Sequence, residues 1–177
     1  GGETAANVDG PVEIFGSEGV ATEGSLTDVL RAFFASAPDA GYIAVQAYLD
    51  RLDDASTELL RGEIAKRTGK QTTFGWGPRF LHSTGQYHKG GHQNGVFLQI
   101  TGSVADDLAI PGQPFSFGTL EHAQARGDAG VLAKAKNGGT PRPVLRLHLA
   151  DRAAGLVALA NAARQMRPSR HGAGDGG

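Results

Sequence analysis

Helical and strand periodicities take turns along this chain. Apolar side chains recur at every third or fourth position over residues 26–37, which is the spacing of one buried helix face. Ser25 and Asp28 stand at the start of this run in the form of a capping box, with Asp in place of the usual Glu. We therefore expect a helix that begins at this box and ends before Pro38 and Gly41.

Three apolar runs predict buried strands. Residues 42–49 and 96–100 are apolar almost throughout, which is typical of strands that are covered on both faces of a parallel sheet. Residues 144–149 instead alternate between apolar residues and the polar Arg146 and His148. This alternation predicts an edge strand with one wetter face.

The other elements are shorter or less regular. Two more strands are expected, at residues 12–15 and 71–75. Two more helices are expected, at residues 119–136 and 151–166. One further helix is expected to begin at Asp53 or Asp54 and to end at Gly69, whose lack of a Cβ permits a left-handed stop. The inward side chains of that helix are expected to be Leu59, Leu60 and Ile64.

Strands that alternate with helices predict an α/β protein. The expected architecture is a three-layer α/β/α sandwich with a mainly parallel sheet. The length of 177 residues fits one domain with a substantial core. We expect a lead-in with a short strand at residues 1–24, the α/β domain at residues 25–166 and a disordered tail at residues 167–177.

Composition narrows the classes of partner and compartment. The formal net charge is −1, so no bulk attraction to nucleic acid or to an anionic membrane is expected. Cysteine is absent, which excludes disulfides and thiolate chemistry and fits a cytoplasmic location. No apolar run is long enough to cross a bilayer. The chain begins with Gly1 and has Met166 as its only Met, so we expect it to be part of a longer protein.

Candidate chemistry is concentrated in residues 73–101, which we call the acid-free segment. This segment holds three of the six histidines and the only tryptophan of the chain. No Asp or Glu occurs between Glu63 and Asp106. Glycines, hydroxyls and cations in the absence of acids are typical of a place where the backbone meets an anion. The segment therefore predicts an anion site.

The anion site is expected to centre on residues 83–86 of the acid-free segment. Their hydroxyls and N–H groups can bind phosphate at the positive end of a helix dipole, and Arg79 and Lys89 add positive charge. The alternative is an ordinary Ser/Thr turn, and the residues alone leave it open. The four candidate residues of the run are Ser83, Thr84, Gly85 and Gln86.

Histidines of the same segment raise two kinds of chemistry. His88 and His92 are four residues apart, as in a metal-binding helix, but two glycines between them disfavour a helix and no carboxylate completes the set. We therefore expect no metal. An imidazole can instead act as a general acid or base near neutral pH, and His88 is the favoured candidate. His122 and His148 are expected to be structural hydrogen-bonding residues.

The sequence in and after the acid-free segment resembles a known enzyme family. The similarity is to the C-terminal part of glucose-6-phosphate isomerase, as it occurs in bacterial bifunctional transaldolase/glucose-6-phosphate isomerases. It covers roughly residues 40–165. It rests on residues 77–91, 95–101 and 115–120 and on the pairs Ala123-Gln124 and Gly127-Asp128.

This resemblance implies a sugar-isomerase (SIS) domain with a flavodoxin-like fold. It implies interconversion of glucose 6-phosphate and fructose 6-phosphate through a cis-enediol, without a metal or an organic cofactor. His88, with His82 as the alternative, would then help to open the sugar ring, and Lys89 would stabilise the enediolate. Arg79 and residues 83–86 would bind the sugar phosphate.

Other parts of the family pattern do not occur in this chain. Its lysine motif, which begins Phe-Asp-Gln-Pro, is absent, and so is a matching catalytic glutamate. The resemblance therefore implies an upstream SIS domain, a transaldolase domain in the fused forms, and a homodimeric parent protein, with the present chain inactive by itself. The alternative function is a non-catalytic SIS module that binds a phosphosugar and regulates a partner.

Overall fold

The structure is a computed structural model that describes residues 3–77, 94–103, 125 and 142–166. Three α-helices occur in these ranges: α1 (Leu26–Ala35), α2 (Leu59–Thr68) and α3 (Arg152–Gln165). A 3-10 turn, Ala55–Glu58, precedes α2. The strands of the same ranges are β1 (Asn7–Asp9), β2 (Val12–Gly16), β3 (Tyr42–Tyr48), β4 (Gln71–Trp76), β5 (Gly95–Gly102) and β6 (Val144–Leu149).

The described strands form one sheet in the order β1-β2-β6-β5-β3-β4. The four strands from β6 to β4 are parallel, and the β1–β2 hairpin joins β6 in antiparallel orientation. Both faces of β3, β5 and β6 are buried, as the central layer of a sandwich requires. The expected fold class, a three-layer α/β/α sandwich with a mainly parallel sheet, is confirmed.

One face of the sheet, which we call the aliphatic face, packs against all three described helices. Its strand positions and the buried helix residues form a single hydrophobic cluster. Burial of such side chains contributes about 1.5–3 kcal/mol for each large one, so this cluster is the main source of stability. The buried strand residues of the aliphatic face are Val12, Ile14, Ile43, Val45, Ala47, Val96, Leu98, Ile100, Leu145, Leu147 and Leu149.

Helix α1 begins and packs as its sequence predicts. The Ser25 hydroxyl accepts a hydrogen bond from the Asp28 N–H, and the Asp28 carboxylate accepts one from the Ser25 N–H, each at 3.1 Å. The apolar residues of the predicted helix face are all buried. At the other end, the Lys70 ammonium donates to the carbonyls of Phe34, in the last turn, and Ala37, just beyond it, at 2.7 Å each.

The start of helix α2 differs from the expectation in two ways. The Asp54 carboxylate does not cap the helix, because it accepts a hydrogen bond from the Asp50 N–H at 2.9 Å and so closes the preceding loop. Leu60 and Ile64 are buried as expected, but the side chain of Leu59 is exposed, since these two positions, four residues apart, already fill the inward side of this helix. The predicted stop at Gly69, with φ 69°, is confirmed.

Strand β6 was expected at an edge of the sheet, and this prediction is wrong. It lies between β2 and β5, and all six of its residues are buried. Its neighbour β2 was predicted as a strand at residues 12–15, and β1 pairs with β2 on the outer side to form a hairpin. A strand of three residues is too short to show a period, so β1 left no signal in the sequence.

The last helix, α3, forms as predicted. The Asp151 carboxylate accepts from the Ala154 N–H at 3.1 Å, and the helix ends at Gln165, with Met166 as its C-terminal cap. Ala125 is helical and buried, whereas the rest of the predicted helix at residues 119–136 and the predicted tail lie outside the described residues. Among the helices of the described ranges, none is long and apolar enough to span a bilayer.

Candidate functional site

The strand order identifies one edge of the sheet as the place to look for a site. After β3 the chain moves outward to β4, and β5 then lies on the other side of β3. The connections that follow β3 and β4 therefore run in opposite directions across the sheet. In open α/β sheets, ligands bind beyond the carboxyl ends of the strands at such a reversal. We call the position between the carboxyl ends of β3 and β5 the switch point.

The face of the sheet opposite the aliphatic face carries polar side chains at the switch point. We call it the polar face. Its side chains near the carboxyl edge are buried although they are polar, which is costly unless they are hydrogen-bonded or bind a ligand. These residues, from β3, β5 and β6 in turn, are Gln46, Tyr48, Gln99, Thr101, Arg146 and His148.

The sequence-based interpretation did not predict this polar face. The runs at residues 42–49 and 96–100 predict strands that are apolar on both sides, and the single glutamine in each run adds no periodic signal. The sequence does hold one indication that the two glutamines are neighbours: each occupies the fifth position of its strand. Only the register, which pairs Gln46 with Gln99 and Gln99 with Arg146, shows that the three side chains form one row.

His148 lies in the row nearest the carboxyl edge and is hydrogen-bonded at both ring nitrogens. The Thr101 hydroxyl is 2.8 Å from Nδ1, and the Ser103 hydroxyl is 3.0 Å from Nε2. Two hydroxyls fix the plane of the imidazole within the sheet edge. This geometry agrees with the expectation of a structural histidine.

The next row, one pleat deeper, contains the glutamine pair. Gln99 Nε2 donates to Gln46 Oε1 at 3.1 Å. Gln46 Nε2 and Gln99 Oε1 have no hydrogen-bond partner among the residues that the structure describes, although both side chains are fully buried. Leaving a buried donor or acceptor unsatisfied costs about 1–3 kcal/mol for each group. The pair therefore presents one donor and one acceptor side by side.

Arg146 completes that row and is neutralised within the chain. Its guanidinium forms an ion pair with Glu3, and it lies 4.1 Å from the centre of the Phe15 ring. A buried cation requires such partners, since desolvation of an uncompensated charge is costly. The N-terminal segment thus supplies the counter-ion of a cation at the centre of the sheet.

On the side of the helices, the carboxyl edge of the sheet carries acidic side chains. There a cleft of about 810 Å³ is lined by Asp53, Asp54, Asp151, Arg152 and neighbouring residues. Arg152 is held by Asp54 at 3.4 Å and by Asp53 at 3.9 Å. With its cation engaged by carboxylates, this cleft disfavours an anionic ligand.

Asp50 closes the loop beside that cleft. Its carboxylate accepts hydrogen bonds from the N–H groups of Asp53 at 2.9 Å and Leu52 at 2.8 Å. These bonds favour the charged form and lower the pKa of Asp50 below its usual value. The side chain is a loop-forming acceptor in this arrangement.

The site residues predicted from the sequence lie outside the described residues. The structure describes the two ends of the acid-free segment. β4 ends at Trp76 on the carboxyl edge, and Asn94, whose side-chain amide donates to the Ala40 carbonyl at 3.1 Å, precedes β5 at the amino edge. The candidates concerned are Arg79, His82, Ser83, Thr84, Gly85, Gln86, His88 and Lys89.

The aromatic side chains at the borders of this segment have structural surroundings. Trp76 packs against the aliphatic core, its ring is 5.2 Å from that of Phe74, and its indole N–H donates to Glu58 at 2.8 Å. Phe97 is fully buried on the opposite face. Within the described ranges, no group of three or more His, Asp or Glu side chains is arranged to hold a metal ion.

Comparisons with known proteins identify the fold. No protein-family model and no curated protein matches the sequence. Among solved structures, the crystal structure of a hypothetical protein from Thermus thermophilus matches with a TM-score of 0.65 and 15% sequence identity over 80% of this chain. The chain spans 38% of the length of that protein. At this identity the likeness establishes the α/β fold.

Proposed function

We propose that this chain is the C-terminal SIS domain of a glucose-6-phosphate isomerase and that it binds the sugar phosphate. The observation that carries the proposal is the position of the acid-free segment. Its first strand, β4, ends at the carboxyl edge of the sheet, two strands from β5. In the sequence, the phosphate-binding candidates therefore come soon after a strand that ends at the edge where α/β sheets bind their ligands.

The handedness of strand connections supports the same placement. The connection from β3 to β4 runs through α2 on the aliphatic face. Parallel strands are joined by right-handed crossovers in almost all proteins. Because β5 lies in the opposite direction from β4, a crossover of the same hand belongs on the polar face. This rule supports a ligand site on the polar face of the switch point, beside Gln46, Gln99 and Thr101.

The electrostatics of the two sides of the carboxyl edge favour this assignment. The helix side carries Asp53, Asp54 and Asp151, whose charges oppose a phosphate dianion. The acid-free segment carries Arg79 and Lys89 without a nearby acid in the sequence. Arg79 and the hydroxyls of residues 83–84 would bind the phosphate, with Gly85 and Gln86 supplying a backbone amide and a side-chain amide.

The proposed chemistry divides between this domain and the rest of the parent protein. His88, or His82 in its place, would protonate the ring oxygen and open the sugar. Lys89 would stabilise the negative charge of the enediolate. The base that moves the proton between C2 and C1 would come from an upstream SIS domain. Neither a metal nor an organic cofactor is required, and the parent protein would act in the cytoplasm as a homodimer.

A non-catalytic phosphosugar sensor is the second candidate function. It is favoured by one observation, the absence from this chain of a glutamate that matches the catalytic base of the family. A sensor and an isomerase would share the phosphate site and differ in whether His88 takes part in chemistry.

Titration with fructose 6-phosphate tests the binding proposal. We expect the 177-residue chain to bind fructose 6-phosphate and not fructose, and Arg79→Ala to weaken binding by roughly 10- to 100-fold, the value of a charge-assisted hydrogen bond. Arg61→Ala, which changes an exposed arginine of α2 on the opposite face, is the matched control. Equal affinity for fructose would contradict the proposal.

Kinetics of the complete parent protein separate the two candidate functions. If the protein is an isomerase with His88 as its acid, His88→Ala lowers kcat and leaves the affinity for fructose 6-phosphate nearly unchanged. If kcat survives while affinity falls, His88 binds substrate and the acid/base role is wrong. A complete protein that binds the phosphosugar without turnover would support the sensor.

A further inference from the structure

We propose that Gln46 and Gln99 form a binding site for one hydroxyl group of the sugar phosphate, an inference that rests on the proposed function. Both side chains are fully buried, and each keeps one polar atom without a partner among the described residues. Buried polar atoms in folded proteins are usually paired with a protein group, an ordered water or a ligand, so these two atoms are available to a polar partner.

The hydrogen-bonding pattern of the pair selects the chemical class of that partner. Gln46 Nε2 is a donor and Gln99 Oε1 is an acceptor, and the Gln99 Nε2 to Gln46 Oε1 bond holds the two amides together. Exchanging nitrogen and oxygen in both amides leaves the same result, one donor beside one acceptor. A hydroxyl group can accept from the first and donate to the second at once. The dianionic phosphoryl group of a sugar phosphate cannot, because its oxygens carry no proton to donate.

The position of the pair matches the switch point. Gln46 is on β3 and Gln99 is on β5, the two strands between which the order reverses, and they are register partners. Thr101 and His148 form the row above them at the carboxyl edge. A ligand whose phosphate is held beyond that edge would therefore place its carbon chain towards the pair.

The neighbours of the pair on the adjacent strands do not compete for its free polar atoms. On one side Gln46 is opposite Gly75 of β4, so no side chain stands next to it on that strand. On the other side Gln99 is next to Arg146, whose guanidinium is engaged by Glu3 and Phe15. The row therefore offers neutral amide groups, which suit the polyol part of a sugar phosphate.

The double variant Gln46→Met/Gln99→Met, made in the full 177-residue chain, tests the inference. Methionine keeps the length of the side chain and removes the amide. We expect the Kd for fructose 6-phosphate to rise roughly tenfold, the value of one to two hydrogen bonds, and the Kd for inorganic phosphate to stay unchanged. Gln71→Met, at an exposed glutamine of β4, is the matched control and leaves both constants unchanged.

A measurement on the unaltered chain covers the case in which the variant does not fold. Side-chain NH2 resonances of Gln46 and Gln99 are expected to shift when fructose 6-phosphate is added and to stay in place with inorganic phosphate. Unchanged resonances, or a folded double variant that binds fructose 6-phosphate as tightly as the original, would overturn the inference while the proposed function stands. If the original chain binds neither compound, both proposals fail together.

Discussion

The two faces of the sheet are built from the same strands and serve different purposes. On the aliphatic face the side chains of β2, β3, β5 and β6 are Val, Ile, Leu or Ala, and three helices cover them. On the polar face the alternate positions of β3, β5 and β6 near the carboxyl edge hold amides, hydroxyls, a guanidinium and an imidazole, and they are equally buried. Stability explains the first face. The second face leaves Gln46 Nε2 and Gln99 Oε1 without a hydrogen-bond partner among the described residues, and the proposed ligand site rests on that difference.

The largest loss of stability is expected when a buried side chain of the aliphatic face is truncated. Leu147 lies in the middle of β6 and is fully buried in the helix-side cluster. Leu147→Ala should lower the free energy of unfolding by about 2–5 kcal/mol, since it removes buried methyl groups and leaves a cavity. Urea unfolding measures this. Val157→Ala, at an exposed position of α3, is the control. If Leu147→Ala and Val157→Ala lowered the free energy of unfolding equally little, Leu147 would not be a core residue.

Alanine substitutions at two helix glycines separate the effect of close packing from that of helix propensity. Both helices pack on the aliphatic face. A Cβ at Gly155 of α3 would lie 2.8 Å from Leu149 Cβ and Cδ2, whereas one at Gly62 of α2 would have nothing within 4 Å. Gly155→Ala should therefore destabilise the protein by about 1–3 kcal/mol through overpacking.

Gly62→Ala should change stability in the opposite direction. It should stabilise the protein by about 0.5–1 kcal/mol, the difference in helix propensity between Gly and Ala. Thermal unfolding tests both predictions: the Tm should fall for Gly155→Ala and rise for Gly62→Ala. A gain in stability at Gly155 would show that α3 does not rest as closely on β6 as described.

A loss of stability smaller than that at Leu147 is expected on the polar face when a single hydroxyl is removed. Thr101→Val keeps the shape of the side chain and removes the group that lies 2.8 Å from His148 Nδ1. The cost should be about 1–3 kcal/mol, because the imidazole loses a buried partner. The control is Thr27→Val on α1, where an exposed hydroxyl contacts Gln165 and a change within about 0.5 kcal/mol is expected. Equal effects at the two sites would contradict the buried network.

The smallest effect is a pH dependence at the loop next to the switch point. Backbone hydrogen bonds lower the pKa of Asp50 in the folded protein, so its charge stabilises the fold above the unfolded pKa of about 3.9. That contribution is lost as the pH falls through the lower folded value. Asp50→Asn should therefore flatten the acid limb of a stability curve measured from pH 5 downward. An unchanged acid limb would assign the pH dependence to other carboxylates.

Much of the aliphatic face could be predicted from the sequence, because its signals are periodic. The face of α1, the capping box at Ser25 and the left-handed stop at Gly69 are local features that a few neighbouring residues determine. Each recurs in the structure where the sequence placed it. The apolar runs of β3 and β5 likewise predicted central parallel strands, and the register confirms this position.

The polar face depends on pairings between distant residues, which no local pattern contains. Arg146 and His148 looked like the wet side of an edge strand because their partners, Glu3 and Thr101, are far away in the sequence. Asp54 looked like a helix cap and instead closes a loop through Asp50. The phosphate-site candidates of the acid-free segment remain predictions, with only the two ends of that segment described.

The β1–β2 hairpin has a consequence for how this chain behaves at high concentration. A parallel sheet that ended at β6 would present a long strand with unpaired N–H and C=O groups to other copies of the protein, which is a common route to aggregation. The hairpin covers that strand and leaves β1, only three residues long, as the outermost of the described strands on this side. A truncated form that begins after Pro11 would uncover β2, and we expect it to self-associate during expression or storage.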